Sequence, residues 1–76
     1  MELKIAFGRV VRQRRIDIGL TQEQLGFEAE LRRTYISIIE LGQQQPSLNT
    51  IFKLARALQI SPGRLIGLVE DELSRA

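Results

Sequence analysis

The chain has 76 residues, 43% apolar and 26% charged, with a formal net charge of +2. At roughly 100–200 residues per domain this is one globular domain, spanning residues 1–76, and one so small buries only about 60% of its unfolded surface. It has no Cys and no His, which excludes disulfides and thiolate metal sites, removes the commonest metal ligand and the usual general base, and leaves a second subunit as the remaining support for a marginal core.

No apolar run reaches the roughly 18 residues of a membrane span. The segment Met1 to Gly8 lacks the layout of a signal peptide, so a cytoplasmic location is expected. Ten of the eleven Lys and Arg residues precede Gly67, whereas Glu70, Asp71 and Glu72 follow it. The basic surplus therefore sits in the body of the domain, which points only weakly to a polyanion. No segment shows sustained period-2 alternation, and the β-branched residues fall at helical spacings, so the expected class is all-α.

The first helix runs from about Leu3 to Ile18. Leu3, Phe7, Val10, Val11, Arg14 and Ile18 form one stripe at spacings of three and four. Arg14 interrupts it, with an aliphatic stem that can still cover apolar surface. Gly19 stops the helix. Thr21 then caps a second helix, Gln22 to Ala29, and with Gln24 three residues on it fits a capping box. Leu25 and Ala29 face inward. Gly26 in mid-helix costs around 1 kcal/mol relative to Ala, which a close approach by another helix would explain.

A third helix spans about Arg33 to Leu41, with Gly42 as its stop. Ile36 and Ile39 share a face, so Arg33, Thr34, Ser37 and Ile38 point elsewhere. After a polar loop, Ser47 caps a fourth helix, about Leu48 to Leu58, with Leu48, Ile51, Leu54, Ala55 and Leu58 on its apolar face. Ser61-Pro62 repeats the start signal, a cap followed by Pro at the first helical position. The fifth helix carries Leu65, Ile66, Leu68 and Val69 and is expected to fray into an acidic tail over residues 69–76.

Only Glu30-Leu31-Arg32 links the second and third helices. So tight a turn forces a large crossing angle, the arrangement of a helix-turn-helix, in which the second of the two helices enters a major groove about 12 Å wide. The runs Gly19-Leu20-Thr21-Gln22-Glu23-Gln24-Leu25, Arg33-Thr34-Tyr35-Ile36-Ser37-Ile38-Ile39-Glu40-Leu41-Gly42, Pro46-Ser47-Leu48 and Lys53-Leu54-Ala55-Arg56-Ala57-Leu58 resemble the Cro/C1-type (Xre) helix-turn-helix family. The resemblance covers about residues 7–68. The Arg-Thr-Tyr-Ile-Ser run resembles most the controller proteins of restriction–modification systems.

This resemblance implies a compact five-helix domain of the phage-repressor type that binds double-stranded DNA and regulates transcription, as a homodimer on an inverted repeat. RNA polymerase would be a further partner if it activates. By position, Arg33, Thr34, Ser37 and Ile38 would meet base edges. Arg33 suits a bidentate bond to guanine, worth about 1–3 kcal/mol of discrimination. Gln22, Arg32, Tyr35, Gln43, Gln44, Asn49 and Thr50 would hold the DNA backbone, contacts that position without reading sequence. Arg15 and Glu40 match the family's internal ion pair. Arg32 departs from the family, which prefers Ser, Thr or Asp as this N-cap. Gly26 stands where Ala is common.

Leu65, Ile66, Leu68 and Val69 exceed what one short helix on a small core requires, and are assigned to a dimer interface. The same fold serves in antitoxins and protein-bridging modules, for which the acidic tail and apolar fifth helix would be the binding features. An enzyme is not indicated. There is no nucleotide-binding glycine loop, no cofactor or metal is called for, and Ser37, Ser47, Ser61 and Ser74 have simpler roles as groove residue, caps and tail.

Overall fold

In the computed structural model, which describes residues 1–75, the capping residues sit at helix ends. The helices are α1 (Leu3–Asp17), α2 (Gln22–Ala29), α3 (Arg33–Glu40), α4 (Leu48–Ala57) and α5 (Pro62–Ser74), with no strand among the described residues. The Thr21 capping box is complete. Thr21 Oγ1 accepts from the Gln24 N–H at 3.0 Å, and Gln24 Oε1 accepts from the Thr21 N–H at 2.9 Å. Ser47 and Ser61 accept from the Thr50 and Arg64 N–H groups, each at 3.1 Å. These bonds satisfy amide donors that a helix start leaves open.

Gly19 and Gly42 end α1 and α3 at φ +78° and +70°. In each case the next N–H reaches back over the helix end, from Leu20 to the Arg15 carbonyl at 3.0 Å and from Gln43 to the Ile38 carbonyl at 3.1 Å. Two further helix ends use the same backbone geometry without glycine. Glu30 and Gln59 have φ of 57° and 59°, with Leu31 and Ile60 donating back to Gly26 and Ala55. A left-handed conformation costs a non-glycine residue roughly 1–2 kcal/mol. The closing hydrogen bonds offset it.

The core draws on every helix. Ala6, Phe7, Val10 and Val11 of α1 meet Leu25 and Ala29 of α2, Ile36 and Ile39 of α3, Leu54, Ala55 and Ala57 of α4 with its C-cap Leu58, and Leu65 and Val69 of α5. α1 packs against α3 and α5, α2 against α3 and α4, and α4 against α5. The α1–α3 approach brings backbone to backbone. A Cβ at Gly8 would land on the Ile39 and Glu40 carbonyls, and one at Gly42 would lie 2.9 Å from Ile5 Cα. Gly26 answers a similar need, because its Cβ would sit 2.7 Å from the Leu31 carbonyl. The close neighbour there is the α2–α3 turn itself.

Three expectations change. Leu3 and Leu48 were placed on apolar faces but are exposed. Each is the first residue of its helix, and side chains tilt toward the helix N-terminus, so both project off the end rather than onto the core. The acidic segment does not fray. α5 continues through Glu70, Asp71 and Glu72 to Ser74, with Glu72 drawn onto α1 by Arg9 at 3.7 Å and the Ser74 hydroxyl donating to the Glu70 carbonyl at 3.1 Å. Burial of Val69 and partial burial of Leu68 hold this end of the helix down. Ala76 of the expected tail lies outside the described residues.

Two substitutions test this account of the backbone. Gln59→Gly should raise stability by about 0.5–1 kcal/mol, because the exposed side chain is lost without a cavity and the strain is relieved. Gly8→Ala should lower it by about 1–3 kcal/mol, because the α3 carbonyls cannot retreat without moving the helix. Thermal and urea unfolding followed by circular dichroism measure both.

Candidate nucleic-acid interface

α3 is too short to stand alone in water, and the protein holds it by one side. Ile36 and Ile39 are fully buried, and Glu40 is buried with them. The opposite side begins with Arg32, Arg33 and Thr34, all exposed, and continues with Ser37 and Ile38, which are half-buried. No side chain caps the first turn of α3. Its first turn therefore has no side-chain acceptor, and the helix starts beside two arginines that form no ion pair among the described residues. Tyr35 is half-buried against the core.

The Glu40 carboxylate gathers three elements. Arg15 of α1 donates from Nε to Glu40 Oε2 at 2.6 Å and from Nη2 to Glu40 Oε1 at 3.0 Å, a bidentate pair. Gln22, the first residue of α2, donates from Nε2 to Glu40 Oε1 at 3.1 Å. Arg15 Nη1 also donates to the Leu20 carbonyl at 2.8 Å, fixing the α1–α2 turn. The Glu40 hydrogen bonds raise the Arg15 pKa above its ordinary value, burial opposing them and the Glu40 charge adding to them. The guanidinium therefore stays charged throughout the working pH range. No buried side-chain nitrogen or oxygen among the described residues lacks a hydrogen-bond partner.

Gln22 and Arg33 also line one polar hollow at the start of α2, with Arg15, Thr21 and Glu23. Gln43, Gln44 and Asn49 are exposed. The Gln43 N–H is spent on closing α3, so only its side chain is free. Thr50 is a correction. It is 8% exposed, and its hydroxyl accepts from the Ser47 hydroxyl at 3.1 Å while its N–H donates to the same oxygen. Its side chain is a part of the α4 cap, facing inward.

The assigned dimer residues also divide. Leu65 and Val69 are 0% and 2% exposed and belong to this chain's own core. Ile66 remains at 45%, with Leu68 half-buried beside the core. The register of α5 decides this, because residues 65 and 69 lie one turn apart on the face that meets α1. Exposed apolar side chains outside the sequence assignment include Leu3 and Leu73 near the α1–α5 groove, Leu48 and Phe52 on α4, and Phe27 and Leu41 elsewhere. Leu48 and Phe52, four apart on α4, carried a readable signal, since Ile51 and Ala55 already account for the inward stripe.

One further role was not legible. Arg14 donates from Nε to the Leu58 carbonyl at 2.9 Å and from Nη2 to the Gln59 carbonyl at 3.1 Å. A cation on the orphan carbonyls at the end of α4 is favourable for both hydrogen bonding and the helix dipole.

Residues 11–65 match the family profile described as Helix-turn-helix. The chain belongs to the Cro/C1-type helix-turn-helix family. It is 43% identical over 65 residues to the control protein C.BamHI of Bacillus amyloliquefaciens, covering 84% of this chain and 80% of that protein. The immunity repressor of Bacillus phage phi105 is 35% identical over 68 residues, covering 86% of this chain and 47% of that protein. Among solved structures, the restriction–modification controller protein C.AhdI from Aeromonas hydrophila superposes with a TM-score of 0.79 at 44% identity, over 82% of this chain and 94% of that one. The controller protein C.Esp1396I, solved as a tetramer with its natural 35 base-pair operator, superposes with a TM-score of 0.91 at 25% identity over 99% of each chain.

Within this helix-turn-helix protein the ion pair is the interaction most exposed to test. Glu40→Ala leaves the partly buried Arg15 guanidinium without its carboxylate and should cost up to about 3 kcal/mol. The double replacement Arg15→Met with Glu40→Leu leaves no charge unpaired and should cost clearly less. Urea unfolding of the three proteins at one pH measures the difference.

Proposed function

We propose that this protein is a sequence-specific transcriptional regulator of the controller type, binding an operator inverted repeat as a homodimer with α3 in the major groove. The observation that carries the reading is the free side of α3. A helix gripped by Ile36, Ile39 and Glu40 offers Arg33 and Thr34 outward with nothing of this chain over them. Base recognition falls to Arg33, Thr34, Ser37 and Ile38. Arg33 reads a guanine through O6 and N7, and Ile38 or the Thr34 methyl packs on a thymine methyl. Gln22, Arg32, Tyr35, Gln43, Gln44 and Asn49 hold phosphates. They set the register without reading sequence.

Dimerisation rests on the apolar surface that remains outside the core. A groove of about 340 Å³ between α1, α4 and α5 is lined by Leu3, Phe7, Ile51, Ile66 and Leu73. A second copy is the occupant a small domain most needs. The chain measures 33 × 23 × 22 Å. Two copies side by side suit recognition helices about 34 Å apart, one turn of the duplex. The similar controller bound to its operator as a tetramer supports an oligomer on DNA. No helix among the described residues is long and apolar enough to cross a membrane.

Selection of bound sites from random duplexes tests the whole reading. The expected result is a two-fold symmetric site whose affinity falls steeply with salt, as phosphate neutralisation requires. Arg33→Ala should relax the preference at one base position per half-site and weaken binding roughly 5–150-fold. An unchanged preferred sequence would remove α3 from the groove. Ile66→Glu should shift the protein to monomer in sedimentation and abolish the symmetric site, leaving the fold intact because the side chain is already half in water.

A further inference from the structure

Gln22 occupies an unusual position for a surface amide. Its Nε2 is bound to a carboxylate that is itself locked by two bonds from Arg15. The Glu40 side chain is 2% exposed, so its orientation is set by packing rather than by solvent. An amide that donates one N–H inward cannot flip, since flipping would bring its carbonyl oxygen against the carboxylate. The second N–H diverges from the first and has no partner among the described residues, and Gln22 lines the hollow that it shares with Arg33. Glu40 in turn is the last residue of α3. One carboxylate thus joins the start of the first helix of the motif to the end of the second.

We infer that Glu40 is a positioning residue for DNA binding: by holding the Gln22 amide, it fixes the direction of a phosphate-directed N–H and ties that contact to the placement of α3. The inference rests on the DNA-binding reading above and adds a residue that touches no DNA. Its consequence is coupling. Gln22 contributes to affinity only while Glu40, or another acceptor at that place, orients it. A free Gln side chain must lose rotamer freedom when it binds, and here that loss has already occurred on folding.

A double-mutant cycle read on DNA affinity tests this. The background Arg15→Met with Glu40→Leu removes the anchor while leaving no buried charge unpaired, and circular dichroism verifies that it is folded. In the parent protein, Gln22→Ala should weaken binding to every duplex about ten-fold, the worth of one hydrogen bond to a charged group. In the anchorless background the same substitution should change affinity less than two-fold. Arg15→Met with Glu40→Gln restores a neutral acceptor and should recover most of the Gln22 contribution. Nuclear magnetic resonance of the free protein supplies a readout that a purely structural role would not move. The Gln22 side-chain amide protons should be protected from solvent exchange in the parent, and should exchange at the rate of a free glutamine side chain in the anchorless protein. Equal losses from Gln22→Ala in both folded backgrounds would overturn the inference, as would Gln22 side-chain amide protons in the parent that exchange as fast as those of free glutamine. A parent protein that binds no duplex would instead overturn the DNA-binding reading itself. Should the anchorless protein not fold, exchange of the Gln22 side-chain amide protons in the parent decides the question: protection supports the inference, and exchange at the free-glutamine rate overturns it.

Discussion

The Glu40 carboxylate is the constraint from which the arrangement of the motif follows. It accepts from Arg15 on α1 and Gln22 on α2 while sitting at the end of α3. Three helices share one buried carboxylate. None of the bonds is exceptional alone, and a buried ion pair is weak evidence for net stability. Its value here is geometric. Apolar contacts between Leu25, Ile36 and Ile39 are tolerant of rotation, because dispersion has no direction. A bidentate guanidinium–carboxylate pair is not tolerant. It fixes the rotation of α3 about its own axis, and that rotation decides which side chains face out.

Backbone proximity does the rest. α3 has eight residues, two of them fully buried aliphatics, and so little apolar area cannot hold a helix unless the neighbouring backbones come close. Gly8, Gly26 and Gly42 permit that on three sides, by admitting the end of α3, the turn before it and the start of α1 respectively. Each missing Cβ lets main chain stand where a side chain would otherwise stand. The outer face of α3 is then free because its attachment needs no residue on that face.

Much of this was legible in the sequence where the cause is local. Caps and stops act within four residues, so Thr21 with Gln24, Ser47, Ser61-Pro62, Gly19 and Gly42 set the helix boundaries almost to the residue. The inward pair Ile36 and Ile39 followed from spacing alone, and with it the free side of α3. The Arg15–Glu40 pair came from family likeness, since nothing local joins residues 25 apart. What escaped the sequence was set by long-range packing. Arg14 reads as a flaw in an apolar stripe until α4 is seen to end beside it. Glu30 and Gln59 take a glycine's conformation because the hydrogen bonds beyond them require the turn. Leu65 and Val69 could not be told from Ile66 by composition. Only the docking of α5 on α1 separates the two faces.

The start of α3 shows the clearest conflict between folding and binding. Arg32 stands where a Ser or Asp would cap the helix, and a cation at that end opposes the helix dipole. By the usual cost of a missing cap, the free protein forgoes about 1 kcal/mol. The starts of α2, α4 and α5 are capped by hydroxyls, whereas α1, behind Glu2, and α3, behind Arg32, have no side-chain cap. Of the two uncapped helices, α3 is the one that starts inside the segment matching the helix-turn-helix profile. A capping side chain there would occupy the leading N–H groups and present an oxygen to anything approaching. Arg32 leaves those donors open and adds a positive charge beside them, and both features lower the energy of a phosphate group at that spot. On the DNA-binding reading proposed above, the missing cap and the added charge would act together, costing the free helix start stability that a bound phosphate would recover.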